Sequence, residues 1–308
     1  MQTPRDTPDA HVPVLVEEVA KLLDPRPGQI VLDCTIGRAG HALCLIPMLG
    51  ETGRYVGFDL DPGNVTYARQ QLSPSPIPLV VEHANFAGAR QALDNLGIDR
   101  VDRILADLGF ASNQCNDPTR GFSFDLDGPL DMRFDPTTPA TAADLVNQLD
   151  RHALADLIRR YSDERLSQKI ARKIEERRDR SPIETTRDLA QIVRSAYGAR
   201  AGKQRIDPAT RTFMALRIAV NSELEALRQL LQSLTGLLAP SGIAAVISFH
   251  SLEDRMVKQR FVELERQGQA TRLTRRPQVA SESERRRNPR CRSAKLRAIQ
   301  MAVPHSAT

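Results

Sequence analysis

Tryptophan is absent from this sequence, and aromatic residues make up only 4% of it. The four cysteines are widely spaced and form neither a CxxC pair nor a Cys/His cluster, so we expect isolated thiols and no metal site. They are Cys34, Cys44, Cys115 and Cys291. No apolar run approaches the roughly 18 residues that cross a bilayer. Because residues 1–10 also lack a signal-peptide pattern, we expect a cytoplasmic protein that does not enter a membrane.

The length and charge favour a globular protein with a polyanionic partner. A chain of 308 residues with 41% apolar content can form a buried core and still carry an insertion. The net charge is only +5, but arginine and lysine concentrate in residues 159–180 and 272–297. One such run is usually a solvated face. Two of them in one chain favour a partner such as nucleic acid.

Short apolar segments alternate with helical segments in the first part of the chain. The predicted strands are 29–33, 54–59, 78–82, 101–107, 243–249 and 295–303, and the predicted helices between the early strands are 40–49, 62–72 and 86–96. Fully apolar strands that alternate with helices are typical of a mostly parallel sheet that is covered on both faces. The sequence therefore predicts a doubly wound α/β core.

The pattern changes after Gly109. Residues 112–140 are rich in Pro, Asp and Gly, which indicates an ordered irregular segment, and residues 141–200 have helical periodicity. We therefore predict a helical insertion at 115–211 in a core formed by 1–114 and 212–308. One long amphipathic helix is predicted over 212–238, ended by Pro240-Ser241-Gly242. Residues 265–290 are predicted to be a flexible basic excursion.

Polar residues at the ends of the predicted strands indicate a ligand site. In open α/β sheets, ligands bind beyond the carboxyl ends of the strands. The first strand leads into a loop of small residues, 33–41, and the second ends at Asp59, whose carboxylate can accept ribose hydroxyls. Phe86 follows the third strand and can lie against an adenine ring, and Asp107 ends the fourth. Taken alone, the loop also fits an ordinary tight turn, and Asp107 a helix cap.

Several blocks of sequence carry a family resemblance that runs from His11 to about Arg297. The blocks are HVPVL at 11–15, DCTIGRAGH at 33–41, LADLG at 105–109 with Gln114, RGFSF at 120–124, GPLDMR at 128–133, PATRTF at 208–213, SFHSLEDR at 248–255 and RSAKLR at 292–297. In this order they resemble the small-subunit ribosomal RNA cytosine-N4 methyltransferases (RsmH, formerly MraW). The resemblance implies a class I methyltransferase (Rossmann-like) sheet with an inserted helical domain for substrate recognition.

The resemblance also implies the reaction and its cofactor. The expected activity is N4-methylation of a cytidine in the decoding region of 16S ribosomal RNA within the small subunit. S-adenosylmethionine (AdoMet) is the expected methyl donor and S-adenosylhomocysteine the product. The family's cofactor contacts fall on Ala39, Gly40, His41, Asp59, Phe86, Asp107 and Gln114. Ala39 stands where the family has glycine, and we expect its φ to stay negative. Whether the protein is a monomer or a homodimer is left open.

Two residues are candidates for the proton that N4 loses. Asp107, ionised at neutral pH if its pKa is the ordinary value of about 3.9, would accept a hydrogen bond from the N4 amino group. His250 follows the fifth predicted strand and is the rival base, because histidine titrates near neutral pH. The alternative for His250 is a structural one, in which it orients Ser251 or Asp254.

The residues that would hold RNA are less clear from the sequence. Phe122, Phe124 and Tyr161 are candidates for stacking on an extruded base, although each is also a good core residue. The basic segments 159–180 and 285–297 would contact phosphates. Three rival functions remain: a dinucleotide-dependent oxidoreductase, although GxGxxG is missing; a non-catalytic RNA-binding assembly factor; and a methyltransferase acting on DNA or protein.

Overall fold

The computed structural model describes residues 13–203 and 206–303. The motif residues His11 and Val12, and the polar segment 1–10, lie outside the described residues. The chain forms two compact units. The first joins the chain up to Gly109 with the chain from Leu224 onward, and the second is Phe110–Glu223. The division predicted from the sequence differs slightly, with boundaries after positions 114 and 211.

The first unit is built on a seven-stranded sheet in the order β3-β2-β1-β4-β5-β7-β6. The strands are β1 (Ile30–Asp33), β2 (Arg54–Asp59), β3 (Leu79–His83), β4 (Val101–Asp107), β5 (Leu238–Ser248), β6 (Ala270–Arg272) and β7 (Lys295–Met301). Strands β1 to β5 are parallel, whereas β7 runs antiparallel to both β5 and β6. The predicted class, a mostly parallel doubly wound sheet, is confirmed.

Helices surround the sheet and make up most of the second unit. They are α1 (Val16–Leu23), α2 (Gly40–Leu45), α3 (Pro62–Leu72), α4 (Ala89–Asn95), α5 (Ser112–Asn116), α6 (Ala142–Gln148), α7 (Arg151–Ser162), α8 (Ser167–Arg178), α9 (Thr186–Tyr197), α10 (Ala209–Val220), α11 (Glu223–Leu237), α12 (Ser251–Arg266) and α13 (Glu282–Arg287). The predicted helix 40–49 is shorter than expected, because the chain continues as a 3₁₀ turn over Ile46–Leu49 that contains Pro47.

Alternation along the strands produces two hydrophobic layers. Val31, Tyr55 and Leu105 face one layer, which includes residues of α1, α2 and α3. Their neighbours Leu32 and Val56, with Ile104 and Ala106, face the other layer, which includes residues of α4, α11 and α12. Since successive strand residues point to opposite faces, an uninterrupted apolar strand requires cover on both sides. This double cover leaves the carboxyl edge of the sheet as the place for polar groups.

Two predicted segments differ in the structure. The single helix predicted over 212–238 is two helices, α10 and α11, because Ser222 takes a left-handed conformation with φ +50°. The side chain of Asn221 stabilises this break, accepting from the backbone N–H of Phe134 at 2.7 Å and donating to the carbonyl of Met132 at 2.7 Å. Hydrophobic periodicity continues through the break and therefore cannot reveal it.

The segment predicted as a flexible basic excursion contains regular structure. It includes β6 and α13, and Gln278 forms a bridge with Leu296 of β7. Ala280 of this segment is buried in the first hydrophobic layer. Short elements with few apolar residues escape a search for periodicity, which explains the error.

The second unit is helical apart from an irregular segment between α5 and α6. Thr141, Asp150 and Thr185 cap the starts of α6, α7 and α9 through side-chain hydrogen bonds to backbone N–H groups. Of the helices in residues 13–203 and 206–303, none is long and apolar enough to cross a membrane. These same residues contain no cluster of three or more His, Cys, Asp or Glu side chains that could bind a metal ion.

Candidate active site

Three aspartates end neighbouring parallel strands at the carboxyl edge of the sheet. Asp33 ends β1, and β1 lies between β2, which ends at Asp59, and β4, which ends at Asp107. The loop after β1 touches both flanking strands. The N–H of Gly37 donates to Oδ2 of Asp59 at 2.9 Å, and the N–H of Asp107 donates to Oγ1 of Thr35 at 2.6 Å. The structure thus brings Asp59 and Asp107 to one edge, on either side of this loop.

The start of α2 gives this loop its shape. Ala39 has φ +64°, so the expectation of a negative φ is wrong and the left-handed conformation is kept with an alanine. Such a conformation costs about 1 kcal/mol or more for a residue with a Cβ. Gly40, the next residue, has no room for a side chain, because a Cβ there would lie 2.9 Å from Cγ of Pro13. The backbone at 39–40 therefore packs as closely as sterics allow against Pro13, which belongs to the N-terminal strip formed by residues 13–15.

Asp59 is already well hydrogen-bonded by the protein. Besides Gly37, its carboxylate accepts from the N–H of Asp61 at 2.8 Å and from Nδ2 of Asn64 at 3.4 Å. A carboxylate has about four acceptor positions, so roughly one remains for a ligand. Burial raises the pKa of Asp59 to about 6, although the three donors act in the opposite direction. A ligand hydroxyl donated to Asp59 would further favour the ionised form.

Asp33 has a structural role beneath the loop. Its side chain is buried, accepts from the N–H of Thr35 at 3.0 Å and accepts from the hydroxyl of Tyr55 at 2.8 Å. Burial raises the pKa of Asp33 to about 6, with Asp59 adding to the effect. The Asp33 side chain therefore holds the loop, and the loop in turn carries the N–H group that reaches Asp59.

Asp107 has the most unusual environment of the three. Its Oδ1 is buried and has no hydrogen-bond partner among the described residues, while Oδ2 lies 3.7 Å from Nδ1 of His41. Burial raises the pKa of Asp107 well above its ordinary value, and the nearby carboxylates of Asp33 and Glu253 raise it further. The ordinary pKa that the sequence analysis assumed for Asp107 therefore does not apply to this buried carboxyl group.

His250 is held by Glu253, one turn further along α12. Nδ1 of His250 accepts from the N–H of Glu253 at 3.4 Å, and Nε2 lies 3.1 Å from Oε1 of Glu253 without the alignment of a hydrogen bond. The side chain of Asp254 instead pairs with Lys295 at 3.1 Å and Arg297 at 2.7 Å. The structural role predicted for His250 therefore had the wrong partner, because the His250 side chain contacts Glu253 rather than Ser251 or Asp254. A base at Nδ1 would have to give up the helix cap, so this geometry favours Asp107 over His250.

The sequence profile of the MraW methylase family matches residues 9–302. The chain belongs to this family. A protein of Geobacter sulfurreducens named ribosomal RNA small subunit methyltransferase H is 45% identical over 94% of this chain and 98% of its own length. Proteins with the same name from Geobacter sp. strain M21 and Syntrophotalea carbinolica are 43% and 45% identical, with 94% of this chain covered and 98% and 97% of theirs. The predicted family is confirmed, and with it methyl transfer as the reaction class.

Two further cofactor contacts of the MraW family were predicted, and they lie in different units. Phe86 begins a 3₁₀ turn after β3, is half-buried and packs against the second hydrophobic layer of the first unit. Asn85 caps this turn by accepting from the N–H of Ala87 at 2.9 Å. Gln114 belongs to α5 of the second unit, where it is buried and accepts from the N–H of Ala111 at 2.8 Å. The role of each residue toward the cofactor stays a prediction.

Of the predicted stacking residues, Phe122 is buried in the second unit, whereas Phe124 and Tyr161 are half-buried. Phe122 is stacked between Phe110 and Phe134, with ring centroids at 5.6 and 5.3 Å, and Phe124 meets Phe213 edge-on at 5.1 Å. The sequence analysis missed two members of this stack, the buried Phe134 and Phe110, which is 37% exposed. The position of Phe110 directly after the LADLG block of the MraW family was the available signal.

The basic segment after α12 is fixed to the N-terminal strip. Oε1 of Glu284 in α13 accepts from the N–H of Leu15 at 2.8 Å. Leu15 begins α1 in a left-handed conformation and has no side-chain cap of its own. The carbonyl of the preceding Val14 contacts Nε2 of His41 at 3.0 Å. Glu284 and Glu253 also support the site, but the sequence analysis did not identify them. Their contacts involve a residue far away in the chain or backbone groups, and the spacing of residue types does not reveal such contacts.

Proposed function

We propose that this protein transfers the methyl group of AdoMet to N4 of a cytidine in the decoding region of small-subunit ribosomal RNA. The relatives named above act on ribosomal RNA of the small subunit according to their names. The observation that carries the proposal is the buried Oδ1 of Asp107, which has no hydrogen-bond partner among the described residues and lies at the edge where Asp59 and the loop 33–41 also lie. Such an atom costs free energy unless a ligand donates to it.

The residues of this edge fit AdoMet. The left-handed backbone at Ala39 would turn main-chain groups of the loop toward a ligand, while Gly40 lets the loop pack closely against Pro13. Asp59 has roughly one acceptor position left, which suits a ribose hydroxyl. Phe86 would lie against the adenine, and Gln114 would add a further contact. When bound, AdoMet would supply a methyl group on a positively charged sulphur, which is already strongly electrophilic.

Asp107 is the residue that acts on the acceptor. Cytosine N4 is a weak nucleophile, because its lone pair is delocalised into the ring. A hydrogen bond from N4 to Oδ1 of Asp107 would favour a more pyramidal nitrogen and fix its direction of attack. The same oxygen would receive the N4 proton once the nitrogen carries the methyl group. His250 and Glu253 would shape the pocket beside Asp107 rather than move the proton.

The second unit and the basic segments would hold the RNA. Residues 110–223 would serve as the substrate-recognition domain, with the aromatic stack Phe110-Phe122-Phe134 supporting the extruded base. Exposed arginines in 159–180 and 285–297 would contact phosphates. A ribosomal substrate also implies that the protein works in the cytoplasm.

The test is a methyl-transfer assay on small subunits from cells that lack this protein. We expect radiolabel from AdoMet in one N4-methylcytidine, found by nuclease digestion and nucleoside mapping. Asp107→Asn should retain AdoMet binding within about tenfold while methyl transfer falls by about a hundredfold or more. Asp99→Asn is the matched control, because its side chain is 96% exposed.

Three results would contradict the proposal. Binding of subunits without release of S-adenosylhomocysteine would indicate a non-catalytic assembly factor. Label in DNA or protein rather than in ribosomal RNA would change the substrate class. An equal loss of AdoMet binding and of methyl transfer in Asp107→Asn would limit Asp107 to holding the cofactor.

A further inference from the structure

The proposed role of Asp107 conflicts with its surroundings. To receive the N4 proton, Asp107 must be ionised, yet burial raises the pKa of Asp107. Asp33 at the end of β1 and Glu253 in α12 add negative charge beside it and act in the same direction. Asp107 therefore needs a basic partner that takes its proton before the reaction.

His41 has the geometry of that partner. Its Nε2 lies 3.0 Å from the carbonyl oxygen of Val14, and a carbonyl can only accept, so Nε2 carries a proton. In the neutral ring the basic nitrogen is then Nδ1. Nδ1 lies 3.7 Å from Oδ2 of Asp107, and the two side chains are only 8% and 17% exposed.

The Val14 carbonyl is itself fixed in place. It belongs to the strip 13–15, where Pro13 contacts the backbone at Gly40 and the N–H of Leu15 is bound by Glu284. The carbonyl fixes the orientation and the tautomer of His41, as a hydrogen-bond acceptor on the outer ring nitrogen does for histidines that bind metals. Hydrogen bonds in a site without its substrate are often long and tighten on binding, so 3.7 Å is compatible with proton transfer.

We propose that His41 is a positioning residue that takes the proton of Asp107 and so keeps Asp107 ionised for the acceptor amine. This inference rests on the proposed methyl transfer. In the resting pair the proton lies on Nδ1 of His41, and Asp107 is the carboxylate. After N4 has gained the methyl group, one N4 proton passes to Oδ1 of Asp107. The proton already on His41 is released to solvent, and the Asp107 proton then moves to Nδ1, which restores the pair.

The first test reads the protonation state without any reaction. In ¹⁵N spectra of the AdoMet-free protein near neutral pH, we expect both ring nitrogens of His41 to be protonated. In Asp107→Asn the same ring should be the neutral tautomer with its proton on Nε2. The signal is assigned by its absence in His41→Gln. A His41 ring with the same protonation state in both proteins would overturn the proposal.

The second test is the pH dependence of single-turnover methyl transfer at saturating AdoMet. His41→Gln keeps an amide donor for the Val14 carbonyl but removes the basic Nδ1. Its acidic limb should move to higher pH, because Asp107 must then ionise against burial, Asp33 and Glu253. We expect a loss of about tenfold or more near neutral pH, with partial recovery at higher pH. His83→Gln is the matched control, since His83 also contacts a carbonyl, that of Leu60 at 2.9 Å, but is exposed.

The outcomes separate the two proposals. A loss in His41→Gln of the same size at all pH values would show a purely structural role and would overturn the inference about His41. An unchanged pH profile would do the same. If the wild-type protein methylates no ribosomal RNA, the proposed function fails, while the spectroscopic test of the His41–Asp107 pair can still succeed or fail by itself.

Discussion

Gly40 is the residue of the cofactor loop at which a single methyl group should matter most. A Cβ atom there would lie 2.9, 3.0 and 3.2 Å from three ring atoms of Pro13, and a proline ring has little freedom to move away. Gly40→Ala should therefore displace the strip 13–15 and the loop against it. Overpacking of this kind costs about 1–3 kcal/mol, so we expect AdoMet affinity to fall by about tenfold or more in a calorimetric titration.

The matched control for Gly40→Ala is Gly88→Ala. Gly88 follows Phe86 at the same edge of the sheet, has φ −90°, and would place a Cβ with nothing within 4 Å. We expect unchanged AdoMet affinity and an equal or slightly higher melting temperature, since alanine restricts the unfolded chain. Equal affinity of both variants for AdoMet would mean that the contact between Pro13 and Gly40 has no bearing on the cofactor.

At the scale of elements, α13 and the turn after it present arginines on a fixed support. Arg285, Arg286, Arg287 and Arg292 are exposed, while Asn288 and Cys291 between them are buried. Deleting the segment would therefore damage the core as well as remove charge, so substitution is the better experiment. Arg285→Gln with Arg292→Gln should weaken binding to the small subunit. In a plot of the logarithm of the binding constant against the logarithm of the salt concentration, the slope should become less steep by about 0.7–0.9 per lost phosphate contact.

The control for the arginine pair lies at the opposite edge of the sheet. Arg26 precedes β1 and Arg54 begins β2, and both are exposed at the amino ends of the strands. Arg26→Gln with Arg54→Gln removes the same charge and should leave the salt dependence of RNA binding nearly unchanged. AdoMet affinity should be the same in both double variants. If the two pairs weaken RNA binding equally, net charge rather than α13 is responsible.

The elements also show what sequence can predict. The strands that end at Asp33, Asp59 and Asp107 were predicted, with the bounds of β2 and β4 matching residue for residue, because a buried apolar run that ends in an acid is a strong local signal. The break at Ser222 was missed, since it depends on hydrogen bonds from Asn221 to a distant loop. Left-handed backbone at Ala39 was missed for a similar reason, because tertiary contacts overrode the preference of alanine.

Only part of the site as a whole could be predicted from the sequence. Strand ends in a parallel sheet must meet at one edge, so the proximity of Asp59 and Asp107 follows from topology. The environment of Asp107 does not follow from the topology of the sheet. It depends on Glu253 from α12 and on His41, whose tautomer is set by a backbone carbonyl from the N-terminal strip. Residue types at given spacings do not encode such contacts, and the ordinary pKa of Asp107 was the wrong starting point.

The whole molecule offers a test of which parts of the chain hold the cofactor. The family resemblance predicts cofactor contacts in the loop 33–41, at Asp107 and at Gln114 of α5. Hydrogen exchange of the full chain with and without S-adenosylhomocysteine should then show protection in residues 33–41 and 107–109 and also in α5. Helix α8 of the second unit is the internal reference and should not change. Gln114→Ala should abolish protection of α5 while leaving that of the loop 33–41, and an α5 that exchanges equally with and without ligand would remove Gln114 from the site.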